Sequence, residues 1–351
     1  MQKSLSVYLD FIRIVAAFAV FATHANHFVF PHFNYLAIHG GEAVALFFVL
    51  SGFLITFAAT TRETSAAEYF TARCARIYPV LIAALIVTPL VDKIGLTFSP
   101  ENYIGKSYFD GSYLQNGVSS IVFLNEIWSS HAIFGSNEPL WSLGFEVPYY
   151  VLLGLFLFVK GPFKLVALVA AATLFGPKIL MYLPLWLIGC STYLATQNSN
   201  FLKRKSLWYF IPFVGSILSY MVLRQNYSSP GMQQYIEDDD LLRTWLYFVV
   251  VAGLASLNIL SLFALPIANI SVRLAAVVRW VTGGTFTLYL LHQPLLLAFS
   301  SIVPAKQSLI CGLAEMAGVI AICFCVAEAV ERPKLFYRRL ISGWISRPRI
   351  A

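Results

Sequence analysis

Charge is scarce in this chain. Asp, Glu, Lys and Arg make up 12% of its 351 residues, where a soluble domain carries roughly 25%. Acids are scarcer than bases, 17 against 24, so the net charge is +7. That poverty of charge excludes an ordinary soluble globular domain. Cysteine is also sparse: Cys74, Cys190, Cys311, Cys323 and Cys325 show no CxxC spacing of the zinc-site kind. Four of them stand in apolar runs and read as small apolar residues, and no metal is expected. No linker, internal repeat, low-complexity run or appended soluble domain interrupts the chain. The first apolar run is preceded by one lysine and lacks a small-residue cleavage site, so it reads as an uncleaved span rather than a signal peptide.

What the sequence has in abundance is hydrophobicity, 58% of residues. The apolar runs last about 17–22 residues, the length a helix needs to cross roughly 30 Å of hydrocarbon. They are continuously apolar rather than alternating, which disfavours a β-barrel. The expected fold is therefore all-α: a polytopic membrane protein with about ten transmembrane helices in one bundle, a single domain over residues 1–351. The candidate spans are 8–30, 42–61, 77–96, 140–159, 163–177, 179–197, 207–224, 243–263, 281–303 and 306–329. Segment 118–134 is apolar but broken by Asn125, Glu126 and His131, and reads as interfacial or re-entrant.

The basic excess fits topology better than nucleic acid, and no nucleic-acid partner is expected. With the N-terminus in the cytoplasm, most Lys and Arg fall on the cytoplasmic side: Arg62, Arg73, Arg76, Lys203, Arg204, Lys205, Arg273, Arg279 and the tail 331–351. The acidic run 237–240 falls outside. An even number of spans returns the C-terminus to the cytoplasm.

Ionisable residues at membrane depth are costly and tend to be kept for function. Span one, YLDFIRIVAAFAVFATHANH, holds Asp10, Arg13, His24 and His27. Eleven steps of about 100° bring Arg13 and His24 to one helix face, roughly 16 Å apart along the axis. Asp10 sits about a turn from Arg13 on nearly the same face. An interfacial ion pair plus a polar interhelical contact would account for this helix taken alone. Further along, FTARCARIYP places Arg73 and Arg76 at i and i+3, either as topology signals or as an anion clamp. PLWSLGFEVPYY puts Glu146 inside a span behind Trp141 and Ser142. TFTLYLLHQPL brings Tyr289 and His292 into a late span.

Taken together, these motifs resemble acyltransferase family 3, the integral-membrane O-acyltransferases of cell-surface carbohydrates. The resemblance runs along essentially the whole chain, in order. It rests on Leu9-Asp10, Arg13, ten residues and then His24; on GGEAVALFFVLSGFLI at 40–55; on Arg73, Arg76 and Pro79; on Trp141, Ser142, Leu143, Glu146 and Tyr150; on Tyr289 to His292; and on Glu331 and Pro333. The departures are Ala45 where the family often has Asp, and Val147-Pro148 where it often has Glu then Gln. Pro148 is expected to bend its span just after Glu146. The hydrolase-like C-terminal domain of some members is not expected.

The resemblance implies transfer of an acyl group, acetyl on family grounds, from cytoplasmic acyl-CoA to a hydroxyl of a carbohydrate beyond the bacterial inner membrane. Arg73 and Arg76 would hold CoA phosphates, Arg13 would guide the thioester arm, and His24 would be the general base. Asp10 and Glu146 complete the catalytic candidates. Oxyanion or substrate candidates are Tyr289, His292, Ser142, Trp141 and the backbone at Gly40 and Gly41. Tyr103, Tyr108, Tyr113, Trp128 and Tyr235 could stack on sugar rings or belt the interface. Membrane lipid and a carbohydrate acceptor are the expected partners, and oligomeric state is not legible. The competing reading is a transporter or polysaccharide exporter using the polar stripe as a proton relay, although no inverted repeat is visible.

Overall fold

The computed structural model describes residues 2–30, 40–104, 112–227, 241–267, 270–303 and 309–345. Tyr108, Tyr235 and the acidic run 237–240 lie outside the described residues. Among those described, the fold is all-helical, and nine helices are long and apolar enough to cross a membrane. The chain forms two units, Met1–Val20 with Ile38–Arg62 and Leu180–Thr282, and Phe21–Ala37 with Glu63–Ile179 and Gly283–Ala351.

The first unit contains the start of α1 (Lys3–Phe28) and all of α2 (Gly40–Thr61). It continues with most of α7 (Pro177–Asn198), the single turn α8 (Asn200–Lys203), α9 (Phe210–Asn226), α10 (Leu241–Ala264) and α11 (Val272–Thr282). The SGF of the α2 motif has a packing reason. A Cβ on Gly52 would stand 2.0 Å from the carbonyl oxygen of Trp186, and one on Gly189 would stand 2.0 Å from that of Val49. The α2 and α7 backbones touch there, as small residues allow in membrane helix pairs. Trp186 Nε1 donates to Ser51 Oγ at 3.2 Å beside this crossing.

The second unit contains the end of α1, α3 (Ala66–Phe98), α4 (Tyr113–Ile121), α5 (Leu143–Phe158) and α6 (Phe163–Phe175). It closes with α12 (Thr285–Ile302), α13 (Leu309–Val330) and α14 (Lys334–Ile345). At 33 residues, α3 starts earlier than the expected 77. Ser65 caps it, accepting from Glu68 N at 3.2 Å, while Glu68 reaches back to Thr64 N at 2.9 Å. That is a close relative of the capping box. At 13 residues, α6 is about 20 Å long, short of the span expected at 163–177. Pro148 falls in the second turn of α5, and the helix runs through it to Phe158.

In this unit α12 is the hub, packing against α3 and α13. Residues 287–298 are all buried. Its N-terminus is held from outside: Glu331 accepts from Thr287 N at 2.8 Å and Thr287 Oγ1 at 2.9 Å. Pro294 removes an N–H and so frees the carbonyl of Leu290. Asn137 Nδ2 satisfies that carbonyl at 2.9 Å and also meets Thr88 Oγ1 at 2.9 Å.

Candidate functional site

A polar constellation of the second unit surrounds α12. His292 is fully buried. Its Nδ1 lies 2.8 Å from the carbonyl of Tyr289 and 3.0 Å from that of Leu288. A carbonyl only accepts, so Nδ1 carries the proton and Nε2 is the acceptor. Nε2 sits 2.9 Å from Nδ1 of His24, with ring centroids 4.9 Å apart. His24 therefore donates through Nδ1, and its Nε2 is the basic nitrogen. Phe21 closes on the His292 ring edge-to-face, centroids 6.1 Å apart. His24 is half-buried, whereas His27 is exposed.

A short 3-10 turn, Glu138–Ser142, leads into α5 and supplies the wall facing α12. Tyr289 Oη donates to Ser142 Oγ at 3.0 Å, and Ser142 donates onward to Pro139 O at 3.1 Å. Both hydroxyl protons are thus engaged in this arrangement. Gln293 Nε2 donates to Glu138 Oε2 at 3.1 Å, while the buried Gln293 Oε1 has no hydrogen-bond partner. Trp141 packs edge-to-face on Phe145 at 5.4 Å. Glu138, Asn137 and Gln293 escape sequence reasoning. Gln293 does carry a sequence signal, as a polar residue inside an apolar span next to His292.

The paired arginines divide. Arg73 is 5% exposed. One guanidinium nitrogen meets Glu63 at 2.6 Å and the Tyr69 carbonyl at 2.8 Å, and the guanidinium lies 3.8 Å from the Tyr69 ring centre. Its Nε and Nη2 are buried without hydrogen-bond partners. Arg76 is half-buried, with Glu146 and Glu331 among the groups acting on its charge. Glu146 itself accepts from Tyr150 Oη, one helical turn on.

Asp10 and Arg13 lie half-buried on α1 within the first unit, where the Asp10 carbonyl accepts from Thr282 Oγ1 at 3.2 Å. Gly40 and Gly41 open α2 in that same unit. The sugar-stacking candidates fare differently. Tyr103 is fully buried, so its ring is core. Tyr113 donates to the buried Asp92 at 2.6 Å; burial and that carboxylate push its phenol up, holding it protonated. Asp92 also accepts from Ser136 N at 3.0 Å. Only Trp128 is exposed among the described members of that set, at 53%. Segment 118–134 is tied inward, its buried Glu126 paired with Lys178 and with His131 at 2.8 Å. Among the described residues no group of three His, Cys, Asp or Glu could hold a metal ion.

A multi-pass helical membrane protein with a hydrogen-bonded histidine pair, one ring buried and one half-buried, is the class this geometry defines. The chain matches the acyltransferase domain (Acyl_transf_3) over residues 6–328. It belongs to that family. It is 25% identical over 185 residues to nodulation protein 10 of Rhizobium leguminosarum bv. viciae, covering 49% of this chain and 50% of that protein. It is 33% identical over 156 residues to an O-acetyl transferase of Shigella phage Sf6, covering 41% and 44% respectively. It is 28% identical over 149 residues to acyltransferase MdmB of Streptomyces mycarofaciens, covering 40% and 36%. The chain thus spans about half or less of the length of these relatives. No solved structure matches it.

Proposed function

We propose that the protein is an O-acyltransferase, moving an acetyl or similar acyl group from acyl-CoA to a hydroxyl of a cell-surface carbohydrate. The observation that carries this reading is the His24–His292 hydrogen bond at 2.9 Å. The Nδ1–H of His292 is committed to carbonyl groups, so the pair has one internally consistent tautomer assignment. That assignment leaves a lone pair on Nε2 of His24, the requirement for a general base. His292 takes the orienting role that a carboxylate takes in a nucleophile–base–acid triad.

The chemistry balances as follows. His24 Nε2 accepts the acceptor hydroxyl proton as its oxygen attacks the thioester carbonyl. The tetrahedral oxyanion collapses, the C–S bond breaks, and the CoA thiolate takes the proton back from His24. An ester and free CoA thiol result. Arg73 and Arg76 hold the CoA phosphates in this proposal. The unpartnered Nε and Nη2 of Arg73 are donors of the kind a phosphate takes. Arg13 organises the thioester arm. The lysine and arginine distribution supports cytoplasmic termini in a bacterial inner membrane. Similarity to the O-acetyl transferase of Shigella phage Sf6 supports acetyl as the group moved.

The test is purified protein with acetyl-CoA and surface glycan, following thiol release and acceptor mass. His24→Ala should lose about 10²–10⁴-fold in rate while CoA affinity is kept. Glycan export without consumption of acyl-CoA would replace this reading with the exporter.

A further inference from the structure

The first unit holds a cavity of about 680 Å³ between α1, α2, α9 and α10. Its walls are almost wholly aliphatic and aromatic, and Glu42 and Arg224 are the charged residues lining it. It opens sideways: Phe11 and Val15 on its wall are each 50% exposed, and Ile217 is 38% exposed.

The cavity has two unlike ends. At one, Tyr8 Oη donates to Asn258 Oδ1, and Asn258 Nδ2 donates to Ser216 Oγ at 3.0 Å. These polar groups satisfy one another. At the other, Tyr247 Oη donates to Glu42 Oε1 at 2.6 Å. Tyr247 and Asn258 are eleven residues apart on α10, about 16 Å along the helix. Arg224 is eight residues from Ser216 on α9, about 12 Å toward that same far end. Glu42 is 4% exposed, and its second oxygen, Oε2, has no hydrogen-bond partner. A buried acceptor left open is costly, and it asks for a donor.

We propose that this cavity binds a phospholipid with a primary-ammonium headgroup, phosphatidylethanolamine in chemical class. One acyl chain lies along α1 in the apolar trough, whose length of about 16 Å is half of the roughly 30 Å hydrocarbon core. The ammonium donates to Glu42 Oε2, and the phosphate faces Arg224. One acid and one base in an apolar cavity match a zwitterion. A choline headgroup matches the charge but has no N–H to give. A glycerol headgroup offers hydroxyls but leaves the negative charge of its phosphate unbalanced beside Glu42.

The experiment is native mass spectrometry of the full chain released from nanodiscs. The discs contain equimolar phosphatidylethanolamine, phosphatidylcholine and phosphatidylglycerol with identical acyl chains. The intact protein should retain the ethanolamine lipid about tenfold or more over the choline lipid. Glu42→Gln should abolish that preference. Ala255→Trp, which fills the trough, should lower retention of all three. Equal retention of the three lipids by the intact protein, or a preference for phosphatidylglycerol, overturns the proposal, whether or not Glu42→Gln folds. A preference that survives Glu42→Gln in a folded variant overturns it as well.

Discussion

Replacing His292 by Phe keeps a ring against Phe21 but removes both the acceptor that His24 Nδ1 uses and the Nδ1–H that meets two α12 carbonyls. The lost Nδ1–H contacts leave no orphan, since the Leu288 and Tyr289 carbonyls lie inside α12 and have helical N–H partners as well. The cost therefore falls on the orientation and tautomer of His24. Losing the base altogether costs about 10²–10⁴-fold, which caps what His292 can contribute through it. A neutral hydrogen bond nets about 0.5–1.5 kcal/mol, and release of the ring adds misalignment. A loss of about 10–100-fold, or roughly 1.4–2.7 kcal/mol at 1.36 per decade, is expected. The double variant His24→Ala/His292→Phe should be no slower than His24→Ala, because an orienting residue has nothing left to orient. His292→Gln, with an amide oxygen able to accept, should recover part of the rate. The assay is thiol release from acetyl-CoA by folded, purified variants, with KM and kcat separated. Additive losses in the double variant, or a native kcat for His292→Phe, would refute the orienting role.

Three further outcomes follow from the packing. Gly52→Ala drives a Cβ toward the Trp186 carbonyl at 2.0 Å and should cost about 1–3 kcal/mol, read as a lowered Tm in detergent. Asn137→Ala should cost about 1–3 kcal/mol by stranding the Leu290 carbonyl. Pro294→Ala in that background should restore part of it by returning the helical N–H, and no recovery would contradict the account of Pro294. Glu63→Gln removes the charge partner of Arg73; if that pair presets the guanidinium for CoA phosphate, acetyl-CoA affinity falls with little change in kcat, whereas lost stability at unchanged affinity makes the pair purely structural.

Fold class was legible because bilayer crossing imposes length and apolarity on each helix in turn. What hydropathy cannot supply is which helix is central. By composition α12 looks like its neighbours, yet its residues 287–298 are all buried. The spacing of Arg13 and His24 gave a helix face but no partner. His292 lies 268 residues from His24 in sequence, and only packing brings it near. The two arginines of α3 share a face by spacing, but their inequality comes from Glu63, which pairs with Arg73 from ten residues upstream. The early start of α3 is legible in Ser65 and Glu68, whose capping signal lies upstream of the apolar run. Tyr103 and Tyr113 present the opposite case. Aromatic residues in a polar segment invite a binding role, and here one is core and the other is tied to Asp92.

The placement of His292 follows from how one short turn grips one helix. Residues 137–142 reach α12 at three points: Ser142 meets Tyr289, Asn137 meets the Leu290 carbonyl, and Glu138 meets Gln293. Two of those α12 positions are four residues apart and share a face, with His292 between them in sequence. The middle contact exists only because Pro294 leaves a carbonyl without its helical donor. A proline that would weaken an isolated helix thus creates the acceptor that anchors the turn, and the anchored turn fixes the α12 face around the histidine. Glu331 holds the other end of α12 through Thr287. Hydrogen bonds at Thr287, Tyr289 and Leu290 before His292, and at Gln293 after it, bracket the segment that meets His24. In the proposed mechanism the basic nitrogen of His24 must be placed to within a fraction of an ångström, and a helix pinned on both sides of His292 is the means this fold has for doing so.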